Sequence, residues 1–338
     1  MTRPLIPIFI LCLFLDGGVS GAQTNGDPAP GQPATTAPTD APSTERIATA
    51  AGDTFSVVRT PSLTERFEPI VRKLVDRGFP EGWVRQRFGD PRTVFIPKLA
   101  KVNPRKKSSG GGEPVSAYRW VNTDESARAC IAFIEKYRTI LDSASRRYGV
   151  EPEMIAALMR TETQHGKVTG DYHVFSVFAS TALLTQPDVV AENLANAETV
   201  LRDREADSAE MREQAAYIRA RSKKKADWAL NELASLLKIE REGRADAMAI
   251  KGSWAGAFGW SQFLPSSYLR RAVDGNGDGD TDLFNPEDAI PSVANYLKAA
   301  GYVRGNNRRV RKALFNYNNS TPYVESIMGL ASRVKKMQ

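Results

Sequence analysis

Cysteine is nearly absent from this chain: its 338 residues contain two, Cys12 and Cys130. Cys12 lies in an N-terminal segment with the features of a signal peptide, which is removed from the mature chain. A single thiol would then remain, so the sequence excludes a scaffold held by internal disulfides. Cys130 lies in an apolar stretch with helical spacing and is predicted to be a small core residue.

Alternation of apolar and polar residues over the length of a β-strand is also missing. From residue 62 onward, apolar residues recur at helical intervals, for example in residues 62–78, 81–88 and 228–239. Residues 124–148 are predicted to form one long amphipathic helix. The fold class is therefore predicted to be mainly α, and the length allows an ample core.

The apolar run of residues 5–15 is too short to span a membrane as a mature helix. It precedes small residues that end at Ala22, which predicts a signal peptide over residues 1–22. A lipoprotein signal needs a small residue before its cysteine, whereas bulky Leu11 precedes Cys12. Lipid anchoring is therefore not expected, and the chain is predicted to be secreted.

Residues 23–60 are rich in Pro, Thr and Ala and hold few large apolar residues, which predicts a disordered linker. The folded region is predicted to cover residues 61–338. Within it, residues 185–225 are charged and alanine-rich and are predicted to form a helical insertion. The Lys/Arg cluster at residues 219–225 is interpreted either as exposed helix surface or as a contact for an acidic polymer.

Acidic residues are outnumbered in this chain, with 46 Lys and Arg against 39 Asp and Glu and a formal net charge of +7. This balance favours an anionic partner, and nucleic acid, anionic lipid and acidic cell-wall polymer all satisfy it. Nucleic acid is disfavoured because a secreted chain rarely meets it and no nucleic-acid-binding motif is present.

Residues 151–170, EPEMIAALMRTETQHGKVTG, contain the strongest candidate for chemistry. Proline at the second position suits the first turn of a helix. Glu162 shares a helix face with apolar residues, namely Ile155, Leu158 and Met159. Burial raises the pKa of a carboxyl group, so Glu162 is a candidate general acid near neutral pH. The alternative is a helix-edge glutamate that faces solvent or pairs with Arg160 or Lys167.

Glycines follow Glu162 at positions 166 and 170 and are predicted to open the chain where a substrate approaches. Residues 251–268, KGSWAGAFGWSQFLPSSY, combine three further glycines with aromatic and neutral polar side chains. Flat apolar rings beside Ser253 and Gln262 suit a sugar, which has an apolar face and a rim of hydroxyls. The alternative is a tightly packed loop whose aromatic side chains fill the core.

Residues 274–285, DGNGDGDTDLFN, match the start of an EF-hand calcium loop, with glycine at its sixth place. The twelfth place is Asn285 instead of a bidentate glutamate, so weaker calcium binding, another cation or no metal remain open. The alternative is an Asx-rich turn in which Asn285 caps the next helix. The candidate ligands are Asp274, Asn276, Asp278, Asp280, Asp282 and Asn285.

Four segments in order resemble the B-type lytic murein transglycosylases: MRTETQHGKVTG, KGSWAGAFGWSQFLPSSY, DAIPSVANYLKAAGY and FNYNNS. The resemblance runs from residue 62 to the C-terminus. It implies a lysozyme-like helical catalytic core with an additional helical domain and an EF-hand-like loop. It also implies cleavage, in the periplasm, of the β-1,4 bond between N-acetylmuramic acid and N-acetylglucosamine without water as the attacking group.

The resemblance implies that Glu162 is the single catalytic acid and base, held by Asn318 or Tyr317, while Ser253 orients the substrate's N-acetyl group. It implies a sugar-binding cleft formed by Tyr118, Ser253, Gln262, Tyr296, Tyr317 and Asn318. Two departures stand out: the family's metal loop usually ends in Asp, and no clear equivalent exists for a family tyrosine after residues 174–184. Tyr217 is the candidate for that tyrosine.

Three functions remain open at this point: a lytic transglycosylase, a hydrolytic muramidase and a non-catalytic peptidoglycan-binding protein. A conventional glycoside hydrolase needs a second carboxylate roughly 5 to 9.5 Å from the first. Only Asp171 follows Glu162 closely, and it is predicted to be a loop residue. The expected partners are peptidoglycan glycan strands, with cell-wall synthases as further candidates. A monomer with no organic cofactor is expected, with Ca²⁺ in a structural role.

Overall fold

The computed structural model describes residues 62–105 and 118–338, together with the backbone of two short strands at residues 47–48 and 54–55. The predicted signal peptide and most of the predicted linker lie outside the described residues. Twelve α-helices are formed in the described part: α1 Leu63–Val75, α2 Glu81–Phe88, α3 Asp124–Lys136, α4 Arg138–Tyr148, α5 Pro152–Thr163, α6 Val174–Ala182, α7 Pro187–Arg202, α8 Ser208–Arg241, α9 Pro265–Arg271, α10 Pro286–Ala299, α11 Asn307–Tyr317 and α12 Thr321–Met337. The prediction of a mainly α fold is confirmed.

The strands are two residues long and form two antiparallel pairs. β1 (Ile47–Ala48) pairs with β2 (Thr54–Phe55), inside the segment that the sequence predicts to be disordered. β3 (Tyr172–His173) pairs with β4 (Lys251–Gly252), with Tyr172 opposite Gly252. The second pair joins the start of the aromatic, glycine-rich loop to the segment that follows α5.

Helix α5 lies at the centre of one half of the core. It contacts α3, α4, α10 and α12, and its residues are buried on almost every side. The sequence predicted one apolar face for α5; the additional faces are covered because four helices surround it. Helix α6 is the buried centre of the other half, where it packs against α8 and α1.

The prediction of one helix over residues 124–148 is wrong. The chain leaves helical geometry at Tyr137, with φ −112° and ψ 27°, so that α3 ends and α4 begins there. The two halves have different partners, since α3 packs against α5 and α12 whereas α4 packs mainly against α10. A straight helix through Tyr137 could pack against only one of these two sets of helices.

The charged segment 185–225 is helical: it comprises α7 and the first half of α8. The sequence predicts a separate packed helix from residue 228, but α8 continues unbroken through 34 residues, about 50 Å. One continuous helix therefore carries both the exposed charges and a buried half against α6 and α9.

Within the described residues, no single helix is long and apolar enough to cross a membrane. A bent pair formed by residues 174–185 and 187–202, with 78° between its two parts, satisfies the criterion by length and composition alone.

Candidate active site

Glu162 lies in the last turn of α5, next to the final residue Thr163. Its side chain is buried among the helices, and the residue is 4% exposed. Burial raises the pKa of Glu162 to about 8, from an ordinary value of 4.5, and a hydrogen bond from Tyr323 partly opposes that rise. The alternative of a solvent-facing glutamate, or one paired with Arg160 or Lys167, is therefore wrong.

The two carboxyl oxygens of Glu162 have different surroundings. Oε1 accepts a hydrogen bond of 2.5 Å from the hydroxyl of Tyr323. Oε2 is buried and has no hydrogen-bond partner among the described residues. A buried polar atom without a partner is rare in folded proteins and calls for an explanation, such as a missing ligand.

The sequence analysis did not identify Tyr323. It predicted that Asn318 or Tyr317 would hold Glu162 in position. The hydroxyl of Tyr317 instead donates to the carbonyl of Ser261, at 2.5 Å. Tyr323 lies in the first turn of α12, and the side chain of Ser320 caps that turn. A sequence signal existed, since Tyr323 is six residues after Tyr317 and starts an apolar helix, but only the packing shows which residue it meets.

Helices α5 and α12 run antiparallel. At one end Tyr323 meets Glu162, and at the other end Nζ of Lys335 lies 3.9 Å from Oε1 of Glu151, the residue that precedes α5. The catalytic candidate is thus fixed by two long packed helices, which position it more rigidly than a loop would.

The aromatic, glycine-rich loop, residues 251–268, packs directly against the end of α5. The hydroxyl of Thr163 donates to the carbonyl of Trp260 at 3.0 Å. At Gly166, which has φ +83°, an added Cβ would lie 2.1 Å from the Trp260 ring. At Gly170 it would lie 2.3 Å from the carbonyl oxygen of Gly252. Gly166 and Gly170 thus permit close packing of the loop, and the prediction that they open the chain there is wrong.

Ser253 and Gln262 are both buried and both brace this loop. The Ser253 hydroxyl accepts from the amide of Ala257 at 3.2 Å. Gln262 has φ +50°, and its side-chain amide donates to the carbonyls of Thr169 and Gly259, each at 3.0 Å. Their predicted contacts with sugar remain predictions.

Aromatic side chains line the region between Glu162 and α11. The ring centroids of Tyr296 and Tyr317 lie 4.6 Å apart, and Phe263 lies 5.5 Å from Tyr296. Burial raises the pKa of Tyr317 well above its ordinary value, and the charge of Glu162 raises it further. On the other side, the buried ring of Tyr118 meets Tyr323 edge-on at 5.9 Å.

Asn318 is buried and follows the end of α11, where its amide donates to the carbonyl of Leu314. The structure therefore brings Tyr118 and Tyr317 close to the Glu162–Tyr323 pair. Gln262 and Ser253 belong to the aromatic, glycine-rich loop, and the ring of Tyr296 contacts those of Tyr317 and Phe263. The contact that the sequence expected between Glu162 and Asn318 is replaced by Tyr323.

In the acidic loop, residues 274–285, side-chain oxygens accept hydrogen bonds from backbone amides. Both oxygens of Asp274 are used, one by Gly277 at 2.6 Å and the other by Gly279 at 2.9 Å. Asp278 accepts from the amide of Asp280 at 2.9 Å. These contacts fold the loop tightly around Asp274.

The second half of the loop is used in the same way. Asp282 accepts from the amide of Phe284 at 2.8 Å, and Asn285 caps α10 by accepting from Glu287 at 3.0 Å. The capping role proposed for Asn285 is therefore confirmed, and this oxygen is committed to the helix. Asn276 donates its amide hydrogen to Asp278, so that its nitrogen faces this carboxylate.

Asp288 was missed by the sequence analysis, and it ties the two arms of the loop together. It is 1% exposed and accepts from the amides of Gly275 at 2.8 Å and Asp282 at 2.6 Å. The donor chemistry of the loop, carboxylate and amide oxygen, is the kind that Ca²⁺ prefers. Among the described residues, however, no group of three or more His, Cys, Asp and Glu side chains is arranged to hold a metal.

The fold and this site define a mainly α protein with one buried carboxyl group suited to general acid catalysis. The model of the transglycosylase SLT domain family matches residues 64–314, and the chain belongs to that family. It is 32% identical over 183 residues to membrane-bound lytic murein transglycosylase B of Escherichia coli K12. That match covers 54% of this chain and 40% of the relative, so the chain spans less than half of that protein.

Two solved structures have a similar fold. The Escherichia coli lytic transglycosylase Slt35, crystallised in complex with calcium, has a TM-score of 0.59 and 21% identity, over 80% of this chain and 93% of that one. SltB3 from Pseudomonas aeruginosa, in complex with NAG-anhNAM-pentapeptide, has a TM-score of 0.61 and 19% identity, over 82% and 80% of the two chains. At this identity the likeness establishes the fold alone.

Proposed function

We propose that this protein is a lytic transglycosylase that cleaves the β-1,4 bond between N-acetylmuramic acid and N-acetylglucosamine in peptidoglycan. The observation that carries the proposal is the state of Glu162: buried, with a pKa of about 8, and with Oε2 free of any partner among the described residues. Such a group is largely protonated at pH 7 and has one oxygen available to a ligand. Membership of the transglycosylase SLT family supports this substrate class.

In the first step, Glu162 donates its proton to the oxygen of the glycosidic bond as the bond to the anomeric carbon of N-acetylmuramic acid breaks. The carbonyl oxygen of the sugar's own N-acetyl group supports the positive charge that develops at that carbon. Tyr323, bonded to Oε1, keeps the carboxyl group oriented while Oε2 faces the substrate. The Tyr323 hydrogen bond also stabilises the carboxylate that the proton transfer leaves behind.

In the second step, the Glu162 carboxylate takes the proton of the sugar's 6-hydroxyl. The resulting oxygen attacks the anomeric carbon, the support from the N-acetyl oxygen is released, and a 1,6-anhydro ring closes. Glu162 returns to its protonated form. One carboxyl group is sufficient for the whole cycle because it serves as acid and then as base.

A hydrolytic muramidase is the second candidate, and it would admit water where the 6-hydroxyl attacks. The surroundings of Glu162 favour the one-carboxylate reaction: burial raises its pKa, the Tyr323 hydrogen bond opposes the rise, and no other carboxylate of the described residues perturbs it. Asp171, the acidic residue that follows most closely, is exposed. A non-catalytic peptidoglycan-binding protein is disfavoured because binding alone does not require a buried, unpartnered carboxyl oxygen.

The experiment is digestion of purified sacculi followed by mass spectrometry of the product termini. We expect 1,6-anhydromuramic acid ends with the wild-type protein and no products with Glu162→Gln. Reducing ends would identify a muramidase instead. Retained wall binding with no cleavage by either protein would identify a binding protein.

We also propose that residues 274–285 bind Ca²⁺ in a structural role, through carboxylates that include Asp274 and Asp278. The oxygen-rich donor set supports this, as does the calcium present in the Slt35 crystals. Because Asn285 is occupied as a helix cap, the affinity should be lower than that of sensor sites. Calcium should raise the melting temperature of the wild-type protein and of the control Asp171→Asn, but not of Asp274→Asn. Equal melting temperatures with calcium and with chelator would contradict the proposal.

The remaining organisation is proposed on the sequence pattern. Residues 1–22 direct secretion to the periplasm, residues 23–60 act as a spacer, and residues 61–338 form the catalytic region as a monomer. In that region α7 and the first half of α8 form the charged helical insertion, while the lysozyme-like core is formed around α5 and is joined by an additional helical domain. N-terminal sequencing of the secreted protein tests the cleavage after Ala22, and cell fractionation tests the location.

A further inference from the structure

Positive charge is strongly concentrated in one stretch of this chain. From residue 289 to residue 324 there are six Lys or Arg residues and no Asp or Glu, so this stretch holds +6 of the formal net charge of +7. Helix α11 carries four of the six. Most of the net positive charge therefore lies in one segment, and the position of this segment relative to Glu162 can be examined.

Helix α11 separates its buried and charged residues onto opposite sides. The buried side consists of Val310, Ala313, Leu314 and Tyr317. The opposite side is exposed and consists of Arg308, Arg311, Lys312 and Phe315. Their spacing of three, four and seven residues places them on one helix face, which we call the α11 basic face.

Two cations of the α11 basic face lack an acidic partner. Arg311 forms an ion pair with Glu325 of α12, whereas Arg308 and Lys312 form no ion pair within the described part of the chain. Phe315 completes the face and is 42% exposed, which is unusual for a large aromatic side chain. Two free cations and one flat ring are thus presented to solvent together.

The α11 basic face lies next to the contacting pair of Tyr296 and Tyr317. Asn316, the residue after Phe315, accepts a hydrogen bond of 2.8 Å from the hydroxyl of Tyr296. Tyr317 follows and is bonded to Ser261 of the aromatic, glycine-rich loop. From Phe315 the face extends about 10 Å along the helix to Arg308. A polymer seated at Glu162 that leaves past Tyr296 would therefore meet this face.

We propose that the α11 basic face binds the carboxylates of the peptide stems carried by the glycan strand, with Phe315 in contact with the strand beside the cleft. The inference rests on the proposed function and names the part of its substrate that this face recognises. An anionic membrane is the less suitable occupant, because an interfacial helix needs a broad apolar face and this face has one exposed apolar residue. The cations of this face instead lie on the same helix as Tyr317, which is one of the candidate sugar-binding residues.

The test compares two double variants of matched charge. Arg308→Gln with Lys312→Gln removes the two unpaired cations of the α11 basic face, and Arg204→Gln with Arg212→Gln removes two exposed cations near the start of α8 as the control. Each protein also carries Glu162→Gln, so that binding is measured without turnover. Binding is measured by isothermal titration calorimetry with soluble glycan strands, released from sacculi by an endopeptidase that cuts the crosslinks and leaves the stems in place. The same strands are then measured after an N-acetylmuramoyl-L-alanine amidase has removed the stems, which leaves only the lactyl carboxylate on the sugar.

We expect the α11 variant to bind strands with stems roughly three- to tenfold more weakly and stripped strands unchanged, with a shallower salt dependence than the parent protein. The control with Arg204→Gln and Arg212→Gln should bind both kinds of strand like the parent. Equal weakening on both substrates, or none on either, would overturn the proposal, as would loss of binding to anionic phospholipid vesicles with wall binding intact. Because binding is read without cleavage, the proposed activity is judged separately, from the product termini.

Discussion

Two buried glutamates in this protein, Glu162 and Glu232, differ in the hydrogen bonds that their carboxyl oxygens form. Glu232 of α8 is 5% exposed, and Glu162 is 4% exposed. Burial raises the pKa of both. Both oxygens of Glu232 are satisfied by Ser266, one by its hydroxyl at 2.7 Å and one by its amide at 2.9 Å. Glu162 has a single partner, and its second oxygen has none among the described residues.

The two glutamates differ in whether a carboxyl oxygen remains available to a ligand. Glu232 joins α8 to the start of α9, so its hydrogen bonds are used within the fold. Glu162 keeps one oxygen without a partner, which costs stability but leaves a proton to transfer. A raised pKa by itself therefore does not identify a catalytic acid; the unpartnered oxygen distinguishes the two residues.

The largest expected effect separates the two glutamates by activity. Glu162→Gln should reduce anhydro-product formation by at least a hundredfold, because no group remains to donate and recover the proton. Glu232→Gln should keep activity within a few-fold of wild type once the folded fraction is equalised. Turnover of sacculi by both variants checks this. Comparable losses in the two variants would show that the unpartnered oxygen of Glu162 does not give it a catalytic role that Glu232 lacks.

A smaller loss of activity is expected when the partner of Glu162 is removed. Tyr323→Phe should lower kcat by about tenfold to a hundredfold, since the carboxyl group loses its orienting hydrogen bond. That bond lowers the pKa of Glu162, so its loss should also move the high-pH limb of the activity profile upward. Tyr302→Phe is the control, because its hydroxyl bonds Glu151 at the opposite end of the two helices. An unchanged profile in Tyr323→Phe would show that Tyr323 does not act through Glu162.

Stability should depend on pH through Glu162. Its folded-state pKa of about 8 exceeds the ordinary value of 4.5, so folding takes up a proton between these pH values and stability falls as pH rises through them. The glutamine of Glu162→Gln does not titrate, so folding of this variant takes up no proton at this position. It should be more stable than wild type at pH 7, by roughly 2 to 4 kcal/mol. Glu232 is present in both proteins, so its contribution cancels. Parallel curves of unfolding free energy against pH would contradict this expectation.

The smallest effect belongs to the contact between α8 and α9. Glu232→Gln places an amide nitrogen where a carboxyl oxygen accepted a hydrogen bond, and should lower the free energy of unfolding by about 1 to 3 kcal/mol. Ser266→Ala removes only the hydroxyl bond and should lower it less. Urea unfolding at fixed pH measures both. A larger loss from Ser266→Ala than from Glu232→Gln would show that the carboxyl group is not the centre of this contact.

The sequence predicts those features that depend on local spacing. Ile155, Leu158 and Met159 around Glu162 predicted its burial, and the mainly α class follows from the same periodicity. The ordered motifs also led to the family. In each case the information lies within one helix or one short segment, so no knowledge of tertiary packing is needed.

The features that sequence reasoning missed depend on contacts between distant segments. Tyr323 reaches Glu162 only because α12 runs antiparallel to α5, and Asp288 meets the acidic loop only because α10 turns back on it. The break at Tyr137 follows from two different packing partners. Gly166 and Gly170 suggested open space, but the tryptophan and backbone that fill it come from about 90 residues later in the chain.

Glu162 can act as the general acid only if its carboxyl group is protonated at neutral pH. Its pKa can be measured by ¹³C NMR on protein labelled at the glutamate side-chain carboxyl carbon, with the Glu162→Gln spectrum identifying the signal. We predict titration with a pKa of about 8. A pKa near the ordinary value of 4.5 would contradict the account.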